Sequence, residues 1–222
     1  MLFIVGHEKG GVGKSQIAFN LAAYFAERKK SVILVDTDTQ RTSAKWSALR
    51  EQVGRPPTFP VVERTTDPAP TIVQLSEKYD AVVVDVGARD YARLSDLAKI
   101  ADLWIAPTRV GQGDLQSTMD LASAFSTLHS KHKAGHIPLC VVVNAVPGTW
   151  NSMEGEDAIQ ALKEVLPTGK VLAHSIRDRR VWRDAHRLGR SIFEMPPSAR
   201  EKAEEEFVAV IDEALSAYKP TR

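Results

Sequence analysis

The run Glu8-Lys9-Gly10-Gly11-Val12-Gly13-Lys14-Ser15 follows an apolar stretch, Leu2 to Val5, and precedes a helical pattern that opens at Ser15. Few short segments restrict a fold so tightly. The apolar stretch reads as a buried strand, so the chain passes from strand to helix through a glycine-rich turn. Backbone N–H groups in such a turn can converge on phosphate oxygens, and the helix behind it adds the positive end of its dipole. In the ending G-x-G-K-S, Lys14 is the phosphate lysine and Ser15 the hydroxyl that ligates Mg²⁺. The usual spacing asks for a glycine where Glu8 stands. This loop has none there, and it carries a second lysine, Lys9.

Four apolar runs, Leu2–Val5, Val32–Val35, Ala81–Val84 and Leu139–Val143, read as strands buried on both faces, with Leu103–Ala106 a fifth. Helical patterns occupy Ser15–Lys29, Thr42–Glu51, Thr71–Lys78, Tyr91–Lys99 and Asp114–His129. The alternation predicts an α/β fold: a doubly wound, mostly parallel twisted sheet with helices on both faces and right-handed crossovers. Arg55 to Pro60 and Asp67-Pro68-Ala69-Pro70 read as a surface connection. The last third reads as helices over Glu154–Leu166, Asp178–Leu188 and Ser198–Tyr218, with a short strand near Val171–Leu172. The final helix sets Ala203, Phe207, Ile211, Ala214 and Tyr218 on one stripe, expected to pack on the sheet. Its other face carries Glu201, Glu204, Glu205, Asp212 and Glu213, which anionic lipid would repel.

At 222 residues the chain suits one α/β domain spanning residues 1–222, with a well-buried core. A formal net charge of +1 rules out bulk attraction to nucleic acid, so any DNA affinity needs a local patch. One stretch offers it: from Arg177 to Arg190, six arginines flank Trp182. The alternative is an ordinary solvated helix face, compensated by Asp178 and Asp184. The single cysteine, Cys140, falls inside an apolar run and reads as a buried hydrophobe, consistent with a reducing cytoplasm. The first strand begins at once, leaving no room for a signal peptide, and no apolar run approaches the ~20 residues of a membrane span. A cytoplasmic protein with no membrane partner is expected. His129, His132 and His136 sit among Lys131 and Lys133, which oppose metal binding; a polar helix terminus is the better reading.

Two further strand ends carry carboxylates. Val35 is followed by Asp36-Thr37-Asp38-Thr39-Gln40, and Val82-Val83-Val84 by Asp85. Carboxyl ends of parallel strands face the crevice where such sheets bind ligands. An apolar strand ending in aspartate, downstream of a phosphate loop, reads as a Walker B element, with Asp85 holding Mg²⁺ through water. Asp38 could instead cap the next helix.

These segments together resemble the ParA/MinD family of dimerising ATPases with a deviant Walker A loop. Asp36-Thr37-Asp38-Thr39-Gln40 with Ser43 and Trp46, and Arg179-Arg180-Val181-Trp182 leading to Ser191-Ile192-Phe193-Glu194, look like the short plasmid-partition ParF-like subgroup. The resemblance implies ATP and Mg²⁺ as cofactors, with Lys9, Gly10, Gly11, Val12, Gly13, Lys14, Ser15 and Gln16 forming the nucleotide loop. It implies that Ser15, Asp36 and Asp85 serve the metal and that Asp38 positions the attacking water. Lys9 would reach across a two-fold interface to the partner subunit's nucleotide, in an ATP-dependent homodimer. Asn144, closing Val141–Val143, matches a position that contacts adenine in relatives. Arg179, Arg180, Arg183 and Arg187 become candidate contacts to non-specific nucleoid DNA, with a centromere-binding, ParB-like partner stimulating hydrolysis. A VirC1-like role in conjugative DNA transfer is the alternative. Departures from the family pattern are Gln16 for a threonine, Thr39 for a proline, and Gly87 in a stretch that often holds prolines, where a more mobile loop is expected.

Overall fold

The computed structural model describes residues 1–55, 58–88, 91–132, 135–148 and 153–217, and of 91–93 the backbone alone. Among the described residues seven strands form one sheet: β1 (Leu2–Val5), β2 (Val32–Asp36), β3 (Val61–Glu63), β4 (Ala81–Asp85), β5 (Leu103–Thr108), β6 (Leu139–Val143) and β7 (Lys170–Val171). Their order is β3-β2-β4-β1-β5-β6-β7 and every pairing is parallel. The fold is that of a P-loop NTPase. The helices are α1 (Lys14–Glu27), α2 (Thr42–Gln52), α3 (Pro68–Ser76), α4 (Tyr91–Ala98), α5 (Gln112–Leu128), α6 (Glu154–Val165), α7 (Arg180–Arg187) and α8 (Pro197–Ala217).

The two faces of the sheet follow from alternation along each strand. Phe3 and Val5 enter a core layer with residues of α1, α2, α7 and α8, whereas Leu2 and Ile4 enter the layer built with α3 to α6. Covered on both sides, the central strands are apolar at every position except their ends. There Asp36 and Asp85 close β2 and β4 and stand opposite each other in register, with Val5 beside Asp85 on the other side. The register thus gathers the strand-end carboxylates next to the loop that leaves β1.

Several boundaries differ from the sequence reading. Between the two segments read as a surface connection lies β3, a three-residue edge strand too short and too exposed to show a period. The second segment holds more than a turn: it contains the start of α3, which begins at Pro68 rather than Thr71. Asp67 enters the left-handed region at φ 40°, and Pro68 is tolerated at N1 because that N–H has no partner within the helix. Pro56 and Pro57 lie outside the described residues. Helix α7 starts at Arg180, leaving Asp178 and Arg179 in the approach to it.

In α8 the stripe Ala203, Phe207, Ile211 and Ala214 is buried as expected, and Tyr218 lies outside the described residues. Its acidic face is not purely solvent. Glu213 accepts the Ala173 and His174 N–H groups, and Asp212 accepts the Tyr24 hydroxyl. The histidine cluster also divides. His132 is buried with Nε2 at 2.8 Å from the Ala101 carbonyl, so it anchors the chain beyond α5 instead of decorating a polar terminus. Lys133 lies outside the described residues, among which no three ligating side chains converge on a metal position. Cys140 is buried, and burial pushes its thiol up to about 12, far from reactivity.

Candidate nucleotide site

The loop between β1 and α1 owes its course to two glycines. Gly11 and Gly13 hold φ 76° and 98°, a region that L side chains avoid. Gly13 is the N-cap of α1, so the first helical amides open onto a cavity of about 830 Å³. That cavity is lined by the loop with Lys14, Ser15 and Gln16, by Asp38 to Gln40, and from the far side by Arg109, Trp182, Arg183 and His186. A smaller cavity of about 150 Å³ lies between Gly13, Gln16, Asn144, Arg177 and Asp178. Trp182, Arg109 and Arg183 line both.

Lys14 is buried and its Nζ donates to the Lys9 carbonyl at 2.7 Å, spanning the loop. Burial lowers its pKa, and Asp85 and Asp38 oppose that shift. Lys9 is placed differently. Its side chain is 39% exposed and pairs with Asp114 in the first turn of α5 at 2.8 Å, and Lys9 is not among the residues lining the large cavity. The backbone of Lys9 is fixed by His7, whose Nδ1 accepts the Lys9 N–H at 3.0 Å and whose Nε2 lies 3.1 Å from Thr118 Oγ1. His7 is fully buried, and burial, then Lys14, drive its pKa to about 4. The imidazole is therefore neutral, with its proton on the nitrogen facing Thr118.

The carboxylates are stacked by depth. Asp85 has no exposed surface; Ser43 Oγ donates to Oδ2 at 2.7 Å, while Oδ1 has no hydrogen-bond partner among the described residues. Burial raises its pKa to about 7, against the Ser43 hydrogen bond, and Asp36 adds to the rise. Asp36 is equally buried, and burial raises its pKa as well. Its Oδ1 accepts the Asp38 N–H at 3.0 Å and its Oδ2 the Ala44 N–H at 2.9 Å. Asp36, rather than Asp38, thus satisfies an amide in the first turn of α2. Asp38 accepts the Gln40 N–H, ahead of the helix, and faces the cavity. Gly87 has a packing role here. A Cβ at that position would lie 3.0 Å from the Asp38 carboxyl carbon, so glycine lets the Asp38 carboxylate approach the β4 end.

The donor set fits Mg²⁺. The buried Asp85 oxygen without a hydrogen-bond partner among the described residues and the Ser15 hydroxyl are hard oxygen ligands, and among those residues no three His, Cys, Asp or Glu side chains converge into a cage, as expected of an ion that keeps water and phosphate oxygens. Asp36 accepts one backbone amide on each oxygen, so part of its acceptor capacity is already used by the protein.

Of the residues singled out from the sequence, the structure brings Gly10, Gly11, Gly13, Lys14, Ser15, Gln16 and Asp38 to one cavity, with Asp36 and Asp85 beneath. Asn144 reaches the loop by donating Nδ2 to the Val12 carbonyl at 2.8 Å. The arginines separate. Arg179 is held by Glu206 through two hydrogen bonds, Arg183 lines the nucleotide cavity while paired with Asp178, and Arg180 and Arg187 flank Asp184 on the exposed face. His7, Arg109 and Asp114 escaped sequence reasoning, and Ser43 entered it only as part of the family pattern, with no contact assigned. Ser43, seven residues after Asp36 at a helix start, carried a weak signal; Asp114 meets Lys9 from over a hundred residues away and carried none.

A parallel sheet with a glycine loop entering a helix at its centre and aspartates on the flanking strand ends defines a nucleotide-binding α/β domain. The CobQ/CobB/MinD/ParA nucleotide binding domain family matches residues 3–189, and the chain belongs to it. It is 35% identical over 122 residues to the Maintenance of carboxysome distribution protein A of Gloeobacter kilaueensis, covering 54% of this chain and 52% of that protein. It is 44% identical over 50 residues to the Chromosome-partitioning ATPase Soj of Thermus thermophilus, covering 22% of this chain and 20% of that protein. The chain therefore spans about half the length of the first of these relatives and a fifth of the second. Among solved structures, apo McdA of Cyanothece superposes with TM-score 0.72 at 19% identity, covering 96% of this chain and 98% of that one. The cell division ATPase MinD of Pyrococcus furiosus does so with TM-score 0.72 at 17% identity, covering 97% and 98%. A putative plasmid partition protein of Borrelia burgdorferi, bound to AMPPNP, gives 0.71 at 15% identity, covering 97% and 98%. No helix among the described residues is long and apolar enough to cross a membrane.

Proposed function

We propose that residues 1–222 form one ATPase domain that closes into a homodimer around ATP and Mg²⁺, binds DNA non-specifically in that state, and so positions or segregates a large cytoplasmic cargo. Lys14 and the amides of Gly11 to Ser15 bind the β- and γ-phosphates, and Ser15 and Asp85 hold Mg²⁺, with Asp36 bracing their surroundings. Mg²⁺ supplies charge neutralisation at the phosphates. Asp38, facing the cavity beside Gly87, orients the attacking water. Gln16 and Asn144 border the base side of the site.

One observation carries the dimeric reading. Of the two loop lysines Lys14 lines the cavity, as Arg109 and Arg183 do, while Lys9 lies partly exposed and paired with Asp114 of α5. A second cation in the same loop but outside the cavity supports a role toward a neighbouring subunit, where it would stabilise charge on the partner's nucleotide and couple association to hydrolysis. The carboxysome and chromosome-partitioning relatives favour a positioning role, with a partner protein of ParB-like type stimulating turnover; plasmid, chromosome region and protein compartment are all cargo classes within it. DNA contact rests on Arg180, Arg183 and Arg187, whose side chains are 85, 65 and 76% exposed.

The P-loop assignment is tested by Lys14→Ala with fluorescent ATP. Loss of a charge-assisted phosphate contact is expected to weaken binding by about a hundredfold. Undiminished affinity in a folded variant would refute it.

A further inference from the structure

We propose that Asn144 is a positioning residue for the phosphate-binding loop, aiming the Gly13 amide from the end of β6. This rests on the nucleotide-site reading above and gives Asn144 a task that does not involve the base.

The Asn144 side chain is 3% exposed, and its Nδ2 donates to the Val12 carbonyl at 2.8 Å. The amide fits there only because residue 13 is glycine. A Cβ on Gly13 would lie 2.1 Å from Asn144 Nδ2, and the φ of 98° excludes a side chain independently. In a planar trans peptide the carbonyl of one residue and the N–H of the next point in opposite directions. A Val12 carbonyl held toward β6 therefore turns the Gly13 N–H away from β6.

The anchor itself is rigid. The Asn144 N–H donates to the Thr108 carbonyl at 2.7 Å, tying it to the end of β5. The next residue, Ala145, holds φ 53°, a left-handed conformation that alanine seldom adopts. Such strain persists only where surrounding structure over-determines it, and here it turns the chain immediately after the side chain that grips the loop.

Inorganic tripolyphosphate separates loop positioning from base contact, since it has phosphates and no base. Asn144→Leu keeps the size of the side chain, removes the donor facing Val12 and adds no charge beside the phosphates. In that variant, affinity for Mg-tripolyphosphate and for Mg-ATP should both fall, by about three- to tenfold, the range for one lost hydrogen bond. Ligand-free protein should also show faster deuterium uptake at residues 11–15. Unchanged tripolyphosphate affinity with weakened ATP binding would reduce Asn144 to a base contact and overturn the proposal, as would unchanged exchange in the loop. Wild-type protein that binds ATP but not tripolyphosphate leaves the decision to the exchange measurement alone. Wild-type protein that binds neither would overturn the nucleotide reading first. If the leucine variant does not fold, Asn144→Ala, which also adds no charge, is judged by the same two readouts.

Discussion

At the carboxyl ends of β2 and β4, Asp36 and Asp85 have no exposed surface, whereas Arg180, Arg183 and Arg187 around α7 stand mostly in solvent. The exposed arginines each have a local counter-charge, Asp178 or Asp184, and water to share it. The buried carboxylates crowd one another and leave Asp85 Oδ1 unsatisfied among the described residues. The difference separates a site from a surface. Buried charge with raised pKa is costly to the fold and is tolerated where a ligand offsets it; exposed paired charge costs little and stabilises little.

The largest contrast should appear at Asp85. Its folded pKa of about 7 lies above the ordinary 3.8, so the native state holds the proton more tightly than the unfolded chain. The penalty is absent below pH 3.8, grows as pH rises, and is complete above about 7. Asp85→Asn should therefore stabilise the protein by on the order of 3 kcal/mol at pH 8 in urea unfolding, while losing Mg²⁺-dependent turnover. Equal stability at pH 8 would mean that the carboxylate is not strained by its burial.

His7 runs the other way. Its folded pKa of about 4 lies below the ordinary 6.5, so stability is full above pH 6.5 and is lost as pH falls toward 4. Between pH 7 and pH 5 this group should account for about 2 kcal/mol of lost stability, and His7→Asn should flatten that part of the wild-type profile. A variant with the same pH dependence as wild type would show that the buried ring is not the titrating group.

The α7 surface should respond least. Arg187→Ala is expected to change stability by less than about 0.5 kcal/mol, since an exposed pair 3.5 Å from Asp184 contributes little. Its effect on DNA should be a salt slope lower by about one. A large loss of stability would place Arg187 in the structure's support rather than on its binding face.

What could be read from the chain alone follows the same division. Continuous apolar runs such as Val82-Val83-Val84 announce strands buried on both faces, and the turn through Gly11 and Gly13 leaves one phosphate loop to expect. The edge strand β3 and the start of α3 did not show, because three half-exposed residues have no period and prolines read as breakers wherever they fall. In the site, the placement of residues within one segment was legible: Lys14, Ser15 and Asp38 line the cavity and Asp85 is buried at its strand end. Groups joined only by the fold were not. His7 meets Thr118 and Lys9 meets Asp114 through the packing of α5 beside the loop, and no spacing in the chain records it. The same limit hid the place of Arg183, which looks like its neighbours in sequence yet lines the nucleotide cavity.

Nucleotide-driven joining of two copies of this chain through Lys9 is the central claim of the proposed function. Light scattering decides it, on the wild-type protein and on Lys9→Ala, each saturated with Mg²⁺ and a non-hydrolysable ATP analogue. Wild type should double in mass and the variant should not, with the analogue bound to both. A wild-type protein that binds the analogue at unchanged mass, or a variant that doubles as wild type does, would refute the trans role of Lys9.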